Sequence, residues 1–200
     1  MVCDEPDKAG LRRELLDMRS RLTRDDVEKA AAVLARVALE LPELADAGTV
    51  AAYVSIGSEP GTRALLDALR ARGVRVLLPV LLADNDLDWA EYEGAEQLVR
   101  ARLGLLEPGG ARLGVQAVLE ADAVLLPGLA VDGRGMRLGR GGGSYDRVLA
   151  RLEAAGARPH LVVLLYDEEV VARVPREPHD HPVSAVVTPG GVRRFKPFTA

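Results

Sequence analysis

The sequence predicts a three-layer α/β/α fold with a mainly parallel central sheet. Three observations carry that expectation. Short runs rich in Val, Leu and Ala alternate with amphipathic stretches of helical period. Two such runs and the helix between them fit within residues 49 to 81, the spacing of a βαβ unit. A glycine-rich turn directly follows a third run and leads into another helix. Strands that read as continuous apolar runs are covered on both faces, and ligands of such sheets bind beyond the carboxyl ends of the strands.

The elements follow in chain order. Leu11, Leu15, Met18 and Leu22 recur at helical spacing, and a second helix is expected from Thr23, where Asp26 three residues on makes a capping-box pattern ahead of Val27, Ala31, Leu34 and Val37. The segment 40 to 49 reads as turn. TVAAYVSI (49–56) is a strand, Thr62 to Arg72 a helix, and VRVLLPVL (74–81) the next strand. LDWAEYEG (87–94) reads as a half-exposed strand, and the mixed stretch after it supports no assignment. DAVLLPGLAV (122–131) is expected as one continuous strand, followed by the glycine cluster and a helix from about Ser144 with Tyr145, Val148, Leu149 and Leu152 on one stripe. HLVVLLY (160–166) and SAVVT (184–188) complete the sheet.

At 200 residues the chain is expected to form a single domain spanning 1–200. With 48% hydrophobic and 28% charged residues it sits among globular proteins, and no run approaches the roughly 18 apolar residues of a membrane span. Residues 1 to 22 alternate charge with leucine and lack the apolar core of a secretory signal, so the expected location is cytoplasmic. The single cysteine, Cys3, has no partner for an intrachain disulfide or a CxxC site, in keeping with a reducing compartment. A net charge of −4 argues against a nucleic-acid coat.

The strongest chemical signal is the loop from Gly133 to Asp146, in which six of the eleven residues 133 to 143 are glycine. Backbone N–H groups in such a loop converge on an anion, and the helix start behind it adds a positive dipole end. The spacing matches neither a Walker A loop nor a dinucleotide fingerprint. A flexible linker is the plain alternative, against which Arg134, Arg137 and Arg140, interleaved with glycine, are expected to repel one another unless an anion lies between them. Asp146 lies in the first turn of the helix, where the dipole alone favours a carboxylate; the other reading is a Mg²⁺ ligand. Asp180, between His179 and His181, is a second candidate, and the two histidines are read as surface residues rather than zinc ligands. Lys8 and Arg12, four apart, share a helix face, which is either solvated with Glu14 and Asp17 as compensation or turned to an anionic ligand.

The order of motifs carries more than any one of them. Lys8-x-x-x-Arg12, Tyr53-Val-Ser-Ile-Gly-Ser-Glu59-Pro-Gly-Thr62, Val76-Leu-Leu-Pro79, Gly104-Leu-Leu-Glu-Pro108, Leu126-Pro-Gly-Leu-Ala-Val-Asp132, Arg137-Leu-Gly-Arg-Gly-Gly-Gly-Ser-Tyr-Asp-Arg147 and Pro175 through His179-Asp180 to Val187-Thr188 follow one another across nearly the whole chain. Together they resemble the 5-formyltetrahydrofolate cyclo-ligase family, with departures at Val131, Ser144 and Ser184. The resemblance implies an ATP- and Mg²⁺-dependent enzyme that closes 5-formyltetrahydrofolate to 5,10-methenyltetrahydrofolate, releasing ADP and phosphate. By position, Lys8, Arg12, Arg137, Leu138, Gly139, Arg140, Gly141, Gly142, Gly143, Ser144 and Tyr145 would hold ATP. Arg137, Arg140 and Tyr145 would act in the chemistry, Asp146 and Asp180 would hold magnesium, and Val54 and Glu59 would line the folate pocket. The expected partner is a small reduced folate, without nucleic acid or membrane, and the expected state is a monomer. Two rival readings are a non-catalytic nucleotide- or folate-binding protein of the same fold, and a sugar-phosphate isomerase or CoA-transferase type of enzyme.

Overall fold

A computed structural model describes residues 7–177 and 180–195 of the protein. Cys3, His179 and Lys196 lie outside the described residues. Helix α1 (Lys8–Ser20) starts where the Asp7 carboxylate accepts the Gly10 N–H at 2.6 Å. Helix α2 (Arg24–Ala38) begins with the expected capping box of Thr23 and Asp26. One turn of helix, α3 (Pro42–Ala45), occupies the segment read as turn, with proline at a position where its missing N–H costs nothing. Strand β1 (Thr49–Ala51), helix α4 (Arg63–Ala71) and strand β2 (Arg75–Leu81) form the expected parallel unit, with Val50 paired to Val76, although β1 ends at Ala51 and not at Ile56.

Strand β3 (Leu87–Glu91) returns antiparallel to β2, and β4 (Leu98–Arg100) with β5 (Leu106–Pro108) makes a separate small hairpin. Then come β6 (Ala123–Leu126), the hairpin of β7 (Ala130–Val131) and β8 (Arg137–Leu138), helix α5 (Ser144–Ala154), β9 (His160–Leu164), β10 (Ala185–Thr188) and β11 (Gly191–Arg194). The central sheet runs β11-β10-β9-β6-β1-β2-β3, parallel from β10 to β2 with one antiparallel strand at each edge.

Alternation along the strands sorts the core into two layers, which is the three-layer architecture the sequence predicts. Val50, Val76, Leu78, Leu125 and Leu164 face α2 and α4 and pack with Leu34, Val37, Leu65 and Leu69. Ala51, Leu77, Val124, Leu126 and Val163 face the opposite way and pack with Val118 and with Val148, Leu149 and Leu152 of α5. Helix α1 joins neither layer. Its Leu11 and Leu15 cover Leu129, Ala130, Met136 and Leu138 of the β7–β8 hairpin, at one end of the sheet.

Three further expectations need correction, and three strands are unassigned from the sequence. The run 122–131 is not one strand: Pro127 has no N–H to donate, and the Leu129 N–H turns to the Leu138 carbonyl at 2.7 Å, which lifts the chain out of the sheet into β7. Strand β3 is not half-exposed, because the short helical segment Val115–Glu120 packs over it and leaves Trp89 fully buried. Met18 is 36% exposed, whereas Arg19 takes the buried place next to Leu15 on α1. Strand β11 and the β4–β5 hairpin were not legible as strands, since Val99, Val192, Arg193 and Arg194 are exposed and carry no apolar alternation.

Candidate active site

The order of the strands reverses between β1 and β6: the chain moves from β1 outward to β2 on one side and from β6 outward to β9 and β10 on the other. Beyond the carboxyl ends of such a pair the connections diverge and leave a crevice. Here it is a cavity of about 440 Å³, lined by Tyr53 and Val54 after β1, Pro127 and Gly128 after β6, the glycine loop, the start of α1 and the β4–β5 hairpin. Its two ends differ in chemistry. Lys8, Arg12, Arg137, Arg140, Asp146, Glu177 and Asp180 line it with charge, while Pro79, Leu81, Leu87, Leu105 and Leu106 line it with hydrocarbon.

The turn after β1 is held by its own side chains. Thr62, fully buried, donates its hydroxyl to the Tyr53 carbonyl at 2.8 Å and accepts the Ser55 N–H at 2.9 Å. Glu59 accepts the Ile56 N–H at 2.9 Å with one carboxylate oxygen, while the other pairs with Arg140 Nε at 3.1 Å. Glu59 thus lines the cavity as expected, yet both its oxygens already have protein partners.

The glycine loop is anchored through the β7–β8 hairpin. Asp132, fully buried, accepts N–H groups of Arg134, Met136 and Val174, and the Arg134 guanidinium pairs with it at 2.7 Å. Burial opposes the charge on Asp132, but these hydrogen bonds outweigh it and hold its carboxyl below the ordinary aspartate range. Downstream, Arg137 donates to the Pro127 carbonyl at 2.9 Å and reaches Asp146 at 3.4 Å. Its side chain is only 7% exposed and its Nε has no partner among the described residues. Burial pulls the Arg137 pKa below the usual arginine value, against the attraction of Asp146 and Tyr145. The Tyr145 hydroxyl, also buried without a partner, is held above the usual phenol range by burial and by the charge of Glu59.

Gly135 and Gly141 of the loop take φ of +81° and +92°, and a Cβ on Gly135 would also stand 2.8 Å from the Val183 carbonyl oxygen. A Cβ on Gly139 would stand 2.8 Å from Arg137 Nη1, and Gly143, the residue before α5, has φ +76°, the left-handed region. Asp146 falls in the first turn of α5.

Helix α1 closes the charged end. Arg12 Nε donates to the Gly139 carbonyl at 2.9 Å, and Lys8 pairs with Glu177 at 2.6 Å and Asp180 at 2.7 Å. Burial works against the Lys8 ammonium, but Asp180 and Glu177 outweigh it and raise its pKa. Compensation for the Lys8–Arg12 pair therefore comes from the far end of the chain and not from Glu14 and Asp17, because the Asp17 carboxylate pairs with Arg21. The mutual repulsion expected of Arg134, Arg137 and Arg140 is likewise relieved within the protein, by Asp132, by Asp146 with the Pro127 carbonyl, and by Glu59. Arg134 does not line the cavity.

Lys8, Arg12, Val54, Glu59, Asp146, Asp180 and every residue from Arg137 to Tyr145 line this one cavity. His181 points elsewhere in chemistry, lying 3.7 Å from Glu153, and no cluster of three or more His, Cys, Asp or Glu that could hold a metal occurs among the described residues.

Sequence reasoning missed the buried pair under the cavity floor. Arg19 bonds both oxygens of Glu169, at 2.6 and 2.9 Å, and the carbonyl of cavity-lining Gly128 at 2.7 Å. Its guanidinium also lies 5.7 Å from the ring centre of Tyr166, whose hydroxyl donates to Ser58. Burial pushes the Tyr166 pKa up to about 12. The one available signal was that Arg19 continues the four-residue spacing of Leu11 and Leu15.

With the geometry in place, the comparisons with known proteins agree with one another. The profile of the 5-formyltetrahydrofolate cyclo-ligase family matches residues 4–189. The chain is 46% identical over 148 residues to the 5-formyltetrahydrofolate cyclo-ligase of Mycolicibacterium smegmatis, covering 70% of this chain and 73% of that one. It is 35% identical over 179 residues to the Escherichia coli K12 enzyme of the same name, covering 87% and 96%. Among solved structures, the 5,10-methenyltetrahydrofolate synthetase of Aquifex aeolicus superposes with a TM-score of 0.80 at 27% identity, covering 96% and 95% of the two chains. That of Mycoplasma pneumoniae, at 19% identity and a TM-score of 0.71, shares the fold.

Proposed function

The chain belongs to the 5-formyltetrahydrofolate cyclo-ligase family, and we propose from that premise how its cavity carries out the ATP-dependent closure of 5-formyltetrahydrofolate to 5,10-methenyltetrahydrofolate. The observation that carries the assignment of the site is a pair of buried donors without partners among the described residues, Arg137 Nε and the Tyr145 hydroxyl, beside an open glycine loop at the point where strand order reverses. Unpaired buried donors are costly, and an anion such as a phosphate chain supplies what they lack. The family matches favour this reading over a non-catalytic module and over an isomerase or transferase.

In this reading the triphosphate of ATP lies along residues 137–145, with Lys8 and Arg12 across it from α1. The carboxylates of Asp146 and Asp180 suit Mg²⁺, which takes one or two protein carboxylates when phosphates and water fill its other positions. Bound there, the ion would neutralise charge on phosphate oxygens. Lys8 already pairs with Asp180, so its ammonium would compete with a metal ion for that carboxylate.

The chemical problem is the formyl group on N5, an amide whose oxygen is a poor leaving group. The formyl oxygen attacks the γ-phosphorus and ADP departs; N10 then attacks the formyl carbon, the carbon–oxygen bond breaks, and phosphate leaves with that oxygen while N10 gives up its proton. Arg137, Arg140 and the loop N–H groups stabilise charge on the phosphoryl group in transit, and the Tyr145 hydroxyl donates to it. Val54 and Glu59 border the folate. We read the enzyme as a cytoplasmic monomer acting on a small molecule, a reading that the single cysteine suits through its fit to a reducing compartment.

The test follows one atom. Substrate carrying ¹⁸O in the formyl group is expected to deliver the label to inorganic phosphate, with ADP release dependent on 5-formyltetrahydrofolate. Label in bulk water with unlabelled phosphate would overturn the mechanism.

A further inference from the structure

The cavity contains a second buried carboxylate, Glu107 of β5, 9% exposed, inside the Gly104–Pro108 motif that the mechanism above leaves without a role. Its position follows from the edge of the sheet. Leu82 N–H bonds the Asp86 carbonyl, so Leu81, opposite Leu87, is in the non-hydrogen-bonded kind of antiparallel pair and turns its N–H away from β3. On that side β1 has already ended at Ala51, opposite Leu77. Glu107 Oε1 fills the gap, accepting the Leu81 N–H at 2.9 Å.

Glu107 Oε2 has no partner among the described residues, and the cavity lining around it offers none: Pro79, Leu81, Leu87, Leu105 and Leu106 present hydrocarbon. Oε2 is not among the fully buried unpaired atoms, so it opens on the cavity, where water or a ligand N–H can donate to it. Glu59 differs, since Ile56 N–H and Arg140 occupy both its oxygens.

We propose that Glu107 reads the donor edge of the substrate's bicyclic ring, accepting N–H groups of its 2-amino-4-oxo-pyrimidine portion while the surrounding leucines and Pro79 cover the ring faces. The assignment rests on the folate reading of the site and gives it a direction: ring at the hydrocarbon end, formyl group toward the glycine loop. A flat heterocycle whose hydrogen-bonding edge carries only acceptors is excluded from this end by the same carboxylate.

The test measures calorimetric binding of 5-formyltetrahydrofolate and of ATP, together with initial rates of methenyltetrahydrofolate formation, for the wild type, Glu107→Gln and Glu107→Ala. Glutamine keeps an acceptor for Leu81 N–H but turns its amide donors to the cavity. Both variants are expected to bind the folate about ten- to hundredfold more weakly, the usual worth of a hydrogen bond to a charged group, with ATP affinity within about twofold of wild type. Glu107→Gln binding folate like the wild type, with only Glu107→Ala impaired, would overturn the proposal and leave Glu107 as a strap for Leu81. Wild type that binds folate without forming product would sink the cyclo-ligase reading, and the binding comparison would still decide the role of Glu107. Wild type that does not bind folate would refute both.

Discussion

Replacing Asp132 by asparagine should test how the glycine loop is held. Asp132 accepts five hydrogen bonds: Arg134 N–H and Met136 N–H on Oδ1 at 2.9 and 3.1 Å, and Val174 N–H, Arg134 Nε and Arg134 Nη2 on Oδ2 at 3.1, 3.1 and 2.7 Å. Asparagine has the same shape but one oxygen, and its NH₂ group must face donors on one side. In the better orientation it faces Arg134 N–H and Met136 N–H, leaving both unpaired. At about 1–3 kcal/mol for each of the two orphaned donors, the variant should lose about 2–6 kcal/mol, a large share of a typical domain's stability. Urea titration reads this as a lower midpoint at unchanged slope.

The pH profile gives an independent check. The Asp132 carboxyl is held below its unfolded value in the folded chain, so its contribution is complete above the ordinary aspartate range and is lost as pH falls through the folded pKa. The asparagine variant should lack that part of the acid-side decline. A loss under about 1 kcal/mol, or an acid limb as steep as in the wild type, would show that the hairpin is fixed by something other than Asp132.

Two further outcomes follow from the charged end of the cavity. Asp146→Asn should lower turnover by about a hundredfold or more and shift the Mg²⁺ dependence, while the melting temperature moves little, because Asp146 is half-exposed and asparagine keeps an acceptor for Arg137 at 3.4 Å. Parallel losses of activity and stability, or an unchanged Mg²⁺ requirement, would argue against a ligand role. Lys8→Ala should raise the KM for ATP by about tenfold and lower the melting temperature modestly, since Glu177 and Asp180 lose their shared cation. The stability part should shrink at high salt and the sign should be downward, because the far-end carboxylates outweigh the relief of the Lys8–Arg12 repulsion; unchanged ATP kinetics would return Lys8 to a structural latch.

The parts of this protein that were legible in sequence share a physical cause. Helix α2 could be placed to its cap because Thr23 and Asp26 satisfy each other within four residues, and the parallel strands could be placed because burial on both faces demands unbroken apolar runs. The glycine loop was legible because backbone that enters a helix at φ +76° selects glycine locally. The β4–β5 hairpin was not, since its exposed Val99 and Leu103 break any alternation and its pairing is decided by the chain's return. Arg19 did not stand out in the sequence, because only Glu169, 150 residues away, makes its burial tolerable.

The same division holds for the site. The sequence by itself determined the fold class, the order of the motifs and the glycine-loop side of one cavity, but not its hydrocarbon lining or Glu107 and Glu177. Only the tertiary structure decided their electrostatic condition: that Lys8 is held by Glu177 and Asp180, that Glu59 is already bonded at both oxygens, that Arg134 serves Asp132 rather than the cavity, and that Glu107 keeps one oxygen open. Residue type and spacing specify what a segment can donate or accept. Which donor meets which acceptor depends on where strands far apart in the chain end, and here on β1 stopping at Ala51 while β2 runs on to Leu81.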